Sequence, residues 1–148
     1  MKYEFRSLDP ATLCDLIELS QKWVDENISY GMVVNDADDI EEPLCVAIDN
    51  DKIIGYIFGH YYTAEKKNSY IEIGSKCFTV DELYVLPEYR SQGVGKELFY
   101  HIENKVKGSC VYITLNTSTK DYKKILHFYV DELDMDFHSA FLIKSTEA

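Results

Sequence analysis

The sequence predicts a single α/β domain, and three observations support this prediction. The chain has 148 residues, enough for one domain with one hydrophobic core. Its composition, 46% hydrophobic and 28% charged residues, is that of a folded globular protein rather than a disordered one. Strand-like alternation and helical periodicity follow one another along the chain, with no internal repeat and no linker. We therefore expect one domain over residues 1–148.

The charge of the chain excludes several classes of partner. A net charge of −11 repels nucleic acid and anionic membranes and attracts cations. No apolar run approaches the roughly 20 residues that a membrane helix needs, and the segment from Met1 to Arg6 is unlike a signal peptide. We expect a cytoplasmic protein with no nucleic-acid or membrane partner and a preference for small amines or basic peptides. The alternative is that the acidic surface serves solubility alone.

The cysteines and histidines do not predict a metal site. No C-x-x-C pair is present, and the four histidines lack metal-ligand spacing. The cysteines are widely separated and lie beside apolar or strand-forming residues: Cys14, Cys45, Cys77 and Cys110. We therefore expect reduced, buried thiols and no metal.

The first half of the chain is predicted to contain strands and one long helix. Asp9 followed by Pro10 is typical of a helix N-cap and first turn, and helical spacing of apolar residues continues to about Asn27. The acidic segment 35–42 is compatible with a short helix or with a solvated loop. Strand-forming runs predict a short N-terminal strand and then a hairpin, at 2–6, 44–48 and 52–59.

The second half alternates between strands and helices. Alternation over 78–86 predicts a strand that Pro87 ends, and the period becomes helical over 94–106. Gly108 follows this helix, as is common at helix ends. The remaining predicted elements are a strand at 111–115, a helix from Ser118 through Leu133 and a final strand at 137–144.

The loop between the strand at 78–86 and the next helix carries the chemical signal. A helix N-terminus offers unpaired backbone N–H groups and the positive end of the helix dipole. Gly93 and Gly95 leave the backbone open where a bulky anion would approach, so this pattern is typical of a phosphate cradle. An ordinary strand–turn–helix with incidental glycines is the alternative. An ATP loop is not indicated, because Glu97 follows Lys96 where a Ser or Thr would bind magnesium, and the dinucleotide pattern G-x-G-x-x-G is absent from this loop.

The segment Arg90-x-x-Gly93-x-Gly95 resembles the R/Q-x-x-G-x-G/A signature of the GNAT superfamily of N-acetyltransferases. The order of predicted elements is also similar, so the resemblance covers nearly the entire chain. It implies the single-domain α/β (α+β) GNAT fold: a mixed, mostly antiparallel sheet of six to seven strands, about four flanking helices, and strands 4 and 5 splayed around acetyl-CoA.

The function implied by the resemblance is an acetyl-CoA-dependent acyltransferase. It would move the acetyl group directly to a primary amine of a small molecule or peptide, without a metal. The first alternative is a non-catalytic coenzyme-A-binding regulatory domain of the same fold, and the second is a purely structural or interaction domain. The identity of the acceptor amine and the oligomeric state stay open, with a homodimer as one alternative.

The resemblance also assigns cofactor-binding residues. Backbone N–H groups near Tyr84 and Val85 would bind the pantetheine arm and the acetyl oxygen, beside a β-bulge. Backbone N–H groups of the signature loop would bind the pyrophosphate, and Arg90 would support either the loop or the phosphates. The residues implied are Tyr84, Val85, Arg90, Gln92, Gly93, Val94, Gly95 and Lys96.

Two residues are assigned catalytic roles by the resemblance. Glu82 would take the proton of the amine, directly or through a water, because an alkyl amine with a pKa of about 10.4 is protonated at pH 7. Alternation predicts that Asp81 points to the other sheet face. Tyr129, within a Phe-Tyr pair similar to that of the family, would protonate the departing thiolate. Asp134 stands where relatives end this helix with glycine, a position that requires a left-handed conformation. The alternatives are an exposed strand carboxylate for Glu82 and a core side chain for Tyr129.

Aromatic and acidic residues before the signature strand are candidates for the acceptor site. They could frame a cationic amine, or they could be core aromatics and a solubilising loop. They are Trp23, Tyr30, Tyr61, Tyr62, Asp36, Asp38, Asp39, Glu41 and Glu42.

Overall fold

A computed structural model describes residues 1–147 as one mixed sheet covered by helices. The strands are β1 (Lys2–Arg6), β2 (Leu44–Asp49), β3 (Lys52–Thr63), β4 (Lys76–Val85) and β5 (Tyr112–Thr114). The helices are α1 (Pro10–Glu26), α2 (Val94–Val106) and α3 (Tyr122–Leu126), which continues as a π-helical turn over His127–Glu132. Short 3₁₀ turns cover Ala37–Asp39 and Pro87–Tyr89.

The strands lie in the sheet in the order β1-β2-β3-β4-β5. The first three pairs are antiparallel and β4–β5 is parallel. β5 pairs with only Cys77 to Thr79 of β4, while β4 continues to Val85. Backbone groups on one side of β4 are therefore free of a neighbouring strand over its second half. This gap is where the family resemblance places the splay between strands 4 and 5.

The helices α1 and α2 cover opposite faces of the sheet. Trp23 of α1 stacks on the Tyr84 ring at a centroid distance of 5.1 Å. Gly95 of α2 lies against the next residue, Val85, and successive strand residues point to opposite faces. The core fills both layers, and its largest fully buried side chains include Tyr56, Phe58, Phe78, Phe99, Leu16, Leu44, Ile57, Leu98 and Ile102.

The predicted start of α1 is confirmed. Asp9 Oδ1 accepts a hydrogen bond of 2.8 Å from the Thr12 N–H, and Pro10 occupies the first turn. This bond satisfies one of the four N–H groups that a helix N-terminus leaves without a partner. At the other end Asn27 adopts φ 54°, and its N–H donates to the Val24 carbonyl. The helix therefore ends at the position that the sequence indicates.

The predicted final strand at 137–144 is wrong. Within residues 1–147 this segment has no strand structure, and the side chains of Phe141, Leu142 and Ile143 are 89%, 88% and 86% exposed. Strand propensity says only that a segment suits a pleated surface, and a strand exists only where a neighbouring strand supplies hydrogen bonds. β5, the strand at that edge of the sheet, is only three residues long.

The element counts also differ from the prediction. Residues 1–147 contain five strands and three α-helices, rather than six to seven strands and about four helices. The acidic segment 35–42 forms only the turn Ala37–Asp39, in which the Asp36 N–H donates to Asp39 Oδ2 at 2.7 Å. The turn is too short to count as an additional helix.

Candidate active site

A β-bulge interrupts β4 at Asp81. Phe58 of β3 lies opposite Glu82, whereas Gly59 lies opposite Val80, so Asp81 has no partner on β3. Gly59 is required here, because a Cβ at this position would collide with the Thr79 carbonyl oxygen. The bulge that the family resemblance implies is therefore present, three residues before Tyr84.

The bulge brings two carboxylates to the same side of the sheet. Glu82 contacts Tyr56 and Asp81 contacts His60, and Tyr56 and His60 share one face of β3 because they lie four residues apart. The prediction that Asp81 and Glu82 point to opposite faces is wrong, because a bulge breaks the two-residue alternation of a strand.

Glu82 is partly buried and is held through one oxygen. Its Oε1 accepts hydrogen bonds from Asn35 Nδ2 at 2.9 Å and from the Tyr56 hydroxyl at 2.8 Å. Burial raises the pKa of Glu82, and the nearby charges of Asp81 and Asp39 raise it further. The two hydrogen bonds act in the opposite direction, but the pKa remains above its ordinary value. A carboxylate with a raised pKa is a stronger base than an ordinary one.

Asn35 is a site residue that the sequence does not single out. It is 7% exposed, and its backbone N–H donates to Ser20 Oγ at 3.0 Å. The Ser20 hydroxyl in turn donates to the Ile17 carbonyl at 2.7 Å. The loop after α1 is thereby attached to the helix at the point where Asn35 reaches Glu82. Only a contact between residues 47 positions apart reveals this role.

An open cavity of about 340 Å³ lies beside the second half of β4. Its wall includes Glu82, Leu83, Asn35, Tyr129 and Asn116. The two residues predicted to be catalytic therefore line one cavity. A wider groove of about 540 Å³ runs along the outer face of α2, and the residues that line it include none of those predicted for the site.

Tyr129 lies in the π-helical turn that follows α3. Its ring is buried and packs edge-on against Phe128, with centroids 5.0 Å apart. Burial raises the pKa of Tyr129, so the phenol holds its proton at neutral pH. Asp134 ends this segment with φ 57°, and the N–H of Met135 donates to the Tyr129 carbonyl at 3.0 Å. The left-handed position predicted at Asp134 is confirmed.

The signature loop forms the N-terminus of α2. Gly93 adopts φ 81°, a conformation that other residues rarely adopt, and no atom of residues 1–147 lies within 4 Å of a Cβ placed there. Gly95 has a packing role as well, because its Cβ would lie 3.3 Å from the Phe128 ring. The N–H groups of the first helical turn have no partner within the helix. They belong to Val94, Gly95 and Lys96.

Arg90 connects the signature loop to α1. Its guanidinium donates to both carboxylate oxygens of Glu26 at 2.7 and 2.8 Å, and its Nε donates to the Val85 carbonyl at 2.8 Å. The Tyr84 hydroxyl also donates to Glu26, at 2.6 Å. Burial alone would raise the pKa of Glu26, but the hydrogen bonds from Arg90 and Tyr84 outweigh burial and lower it. Of the two roles that the sequence leaves open for Arg90, this geometry is that of loop support.

The remaining predicted cofactor residues lie close to the loop. The Gln92 side chain donates to the Glu88 carbonyl at 3.1 Å and closes the turn. The Lys96 ammonium lies over the Tyr100 ring, 5.8 Å from its centroid. Tyr84 and Val85 end β4, beyond the last residue that pairs with β5.

The candidate acceptor residues divide into two groups. Trp23 and Tyr30 line the cavity. Tyr61 packs instead against Phe78 at 5.2 Å, and the Tyr62 hydroxyl lies 3.0 Å from the Thr114 hydroxyl. The acidic residues from Asp36 to Glu42 are all exposed around their 3₁₀ turn, whereas the intervening Ile40 is buried.

His60, Asp81 and Glu41 form a charged cluster that sequence spacing does not reveal. His60 Nδ1 lies 2.7 Å from Asp81 Oδ2, and one oxygen of Glu41 lies within 4.8 Å of both groups. The hydrogen bond to Asp81 raises the pKa of His60, and the charges of Asp81 and Glu41 act in the same direction. The geometry is that of an ion pair beside the bulge.

Comparison with known proteins identifies the family. Residues 11–134 match the acetyltransferase (GNAT) family, while the search of curated proteins found no match. A solved acetyltransferase from Vibrio fischeri is 28% identical with a TM-score of 0.60, over 81% of this chain and 98% of its own. The aminoglycoside N-acetyltransferase AAC(6')-Iy in complex with CoA (15% identical, TM-score 0.67, over 99% and 100%) shares the fold. So does a ribosomal-protein-alanine N-acetyltransferase from Brucella melitensis (14%, TM-score 0.67, over 98% and 100%). The chain belongs to the GNAT family of acetyltransferases.

The residues present fit the acetyl-CoA that this family uses. The open space at Gly93 and the unpaired N–H groups of α2 suit a pyrophosphate. The half of β4 without a β5 neighbour offers backbone groups to an extended pantetheine arm. None of the helices within residues 1–147 is both long enough and apolar enough to span a membrane.

Proposed function

We propose that the protein transfers the acetyl group of acetyl-CoA directly to a primary amine of a small molecule or peptide. The observation that carries this proposal is that Glu82 and Tyr129 line one cavity beside the unpaired half of β4. A carboxylate with a raised pKa can accept the amine proton, and a protonated phenol can donate one to the thiolate.

In this proposal different groups of the chain accept a proton, stabilise the developing charge and donate a proton. Glu82 takes the proton of the ammonium, directly or through a water, so that the neutral amine attacks the thioester carbonyl. Backbone N–H groups near Tyr84 and Val85 stabilise the negative charge that develops on the acetyl oxygen. As the C–S bond breaks, the Tyr129 hydroxyl gives its proton to the sulfur. The nitrogen loses its second proton to solvent water, and water returns a proton to the Tyr129 phenolate.

The signature loop binds the other end of acetyl-CoA in this proposal. N–H groups from Gln92 to Lys96 bind the pyrophosphate, with Gly93 as the point of closest approach. Arg90 acts indirectly, by holding the loop to Glu26 of α1.

Charge supports a cationic acceptor. Asp81 and Glu82 both belong to the cavity wall, and the chain as a whole carries a net charge of −11. A cationic amine is attracted to such a surface before any specific contact forms.

The test is a screen of primary amines and lysine-containing peptides with acetyl-CoA, read out by release of the free thiol. We expect turnover with a cationic acceptor, and we expect Glu82→Gln to reduce kcat by about 10²-fold or more. Glu88→Gln is the matched control, because Glu88 is an exposed carboxylate on the turn before α2. Binding of acetyl-CoA without thiol release for any amine would favour the alternative, a non-catalytic regulatory domain.

A further inference from the structure

Both hydrogen bonds to Glu82 converge on the same oxygen. Asn35 Nδ2 and the Tyr56 hydroxyl each donate to Oε1, at 2.9 and 2.8 Å. Within residues 1–147, no protein donor forms a hydrogen bond with Oε2. Two donors from different elements, a loop and β3, therefore restrict the rotation of the carboxylate while one oxygen stays available.

We propose that Asn35 and Tyr56 are positioning residues that hold Glu82 with Oε2 presented to the acceptor amine. This inference rests on the proposed function, since it gives Glu82 a proton to accept. Neither residue touches the reacting atoms in this arrangement. They act through the orientation of Glu82 and through its basicity.

Both donors are themselves fixed by contacts that do not involve Glu82. Tyr56 is fully buried, and its ring stacks on Phe58 with centroids 5.9 Å apart. Asn35 is held through its backbone N–H, which donates to Ser20 Oγ. Changes to the polar end of either side chain therefore remove the bond to Glu82 and leave these anchors in place.

The position of Asn35 also couples acceptor binding to the base. The segment that ends at Asn35 contributes Ser29, Tyr30 and Met32 to the cavity wall. An acceptor that displaces this wall would pull the Asn35 amide away from Glu82. An acceptor that fits would leave the carboxylate oriented, so acceptor fit would affect kcat as well as KM.

The charged and titratable groups facing Glu82 determine the sign of the expected effect. They are Asp81 on β4, Asp39 on the 3₁₀ turn and the Tyr56 phenol on β3, with Asp81 already paired to His60. The hydrogen bonds to Oε1 lower the pKa of Glu82, whereas the charges of Asp81 and Asp39 raise it. Removing either donor should therefore raise this pKa further. Replacing the Asn35 amide by a carboxylate adds a further like charge at hydrogen-bonding distance, where two carboxylates cannot both ionise readily.

The experiment measures kcat and kcat/KM against pH, with the amine found in the screen, for Asn35→Ala, Asn35→Asp and Tyr56→Phe. We expect kcat to fall about tenfold, less than for loss of the base itself, with an unchanged KM for acetyl-CoA. The acid limb of kcat/KM should move to higher pH in all three variants, and in Asn35→Asp by about one pH unit or more. Asn104→Ala is the matched control, since Asn104 is exposed on the outer face of α2 and does not line this cavity.

The two proposals fail in different ways. Absence of thiol release with every amine would contradict the proposed function. Wild-type activity of Glu82→Gln would leave acetyl transfer standing, but it would show that Glu82 is not the base, and the positioning role would fall with it. Loss of activity in Glu82→Gln, together with a wild-type acid limb in Asn35→Asp and Tyr56→Phe, would overturn only the positioning role. Circular dichroism and thermal unfolding check that each variant folds. If the Asn35 variants do not fold, the pH profile of Tyr56→Phe alone tests the positioning role.

Discussion

Burial shifts the pKa values of Glu82 and Tyr129 in the same direction. Burial disfavours the charged form of each group and so raises both pKa values. For Glu82 the result is a carboxylate that accepts a proton more readily, and for Tyr129 a phenol that is fully protonated at neutral pH but donates its proton less readily than an exposed tyrosine. Burial therefore favours the proposed role of Glu82 as a base, whereas for Tyr129 it secures the protonated form at the cost of acid strength.

Tyr129→Phe should lower kcat by about 10²-fold, because it removes the proton donor and keeps the ring that packs on Phe128. The affinity for acetyl-CoA should change little, as measured by calorimetry. Tyr122→Phe is the control, since Tyr122 is 60% exposed at the start of α3. Equal activity of Tyr129→Phe and wild type would mean that solvent protonates the thiolate.

The pH profile of the wild-type enzyme should reflect the raised pKa of Glu82. The base works in its ionised form, so kcat/KM should fall as the pH drops through that pKa, at a higher pH than for an ordinary glutamate. In Glu82→Gln this acid limb should flatten, and activity should recover in part at high pH, where more of the amine is neutral. An acid limb that persists unchanged in Glu82→Gln would assign the titration to another group.

Among the elements, α1 and the signature loop depend on one another through the ion pair of Glu26 and Arg90. Glu26→Gln should lower the free energy of unfolding by about 2 kcal/mol, the scale for hydrogen bonds to a charged group. The lowered pKa of Glu26 fixes the sign of the pH effect. The contribution of ionised Glu26 to the free energy of unfolding is complete above the ordinary pKa of glutamate, and it is lost as the pH falls through the lowered pKa.

Urea unfolding at several pH values measures this contribution, with Asp25→Asn as the control on the same helix. Asp25 is exposed, and within the described part of the chain its one side-chain hydrogen bond is the one that it accepts from Gln21. A wild-type unfolding free energy for Glu26→Gln would mean that the ion pair does not stabilise the fold.

Gly93 at the N-terminus of α2 has two possible roles, which one substitution can distinguish. It allows a positive φ, and it leaves open space for a ligand. Gly93→Asn keeps a residue that tolerates a positive φ, while it adds a side chain where a phosphate would lie. We expect a stable variant whose affinity for acetyl-CoA falls at least tenfold, as measured by calorimetry. Gly108→Asn is the matched control, because Gly108 also has a positive φ with open space around it and lies at the far end of α2. Unchanged affinity in Gly93→Asn would exclude the phosphate cradle.

Some elements of the fold can be predicted from the sequence and others cannot, and the difference has a physical reason. The start of α1, the hairpin of β2 and β3, and α2 depend on local capping, turns and periodicity, and a sequence displays these directly. The bulge at Asp81 depends on pairing with β3, and the strand expected at 137–144 depends on a partner that β5 does not provide. Local patterns carry no information about such partners.

The candidate site divides in the same way. The glycine pattern predicts a phosphate loop, and the family resemblance predicts roles for Glu82 and Tyr129. Asn35 and Glu26 lie outside any motif, since they meet their partners at separations of 47 and 64 residues. Only the folded chain reveals them.

For the molecule as a whole, the acidic surface makes a kinetic prediction. If it steers a cationic acceptor, kcat/KM for that amine should fall as the salt concentration rises, because the Debye length shrinks from about 10 Å at 0.1 M to about 3 Å at 1 M. A neutral amine, where one is accepted, serves as the control. A rate that does not depend on salt would assign the charge of −11 to solubility.

The order of the strands in the sheet has a consequence for protein synthesis. Every strand after β1 pairs with the strand just before it in the chain, so the four-stranded antiparallel part can assemble on a nascent chain as it leaves the ribosome. Glu82 is then already placed, but α2 and Tyr129 are translated afterwards. The growing polypeptide can therefore pair these four strands early, while α2 and Tyr129, which emerge later, complete the core and the cavity.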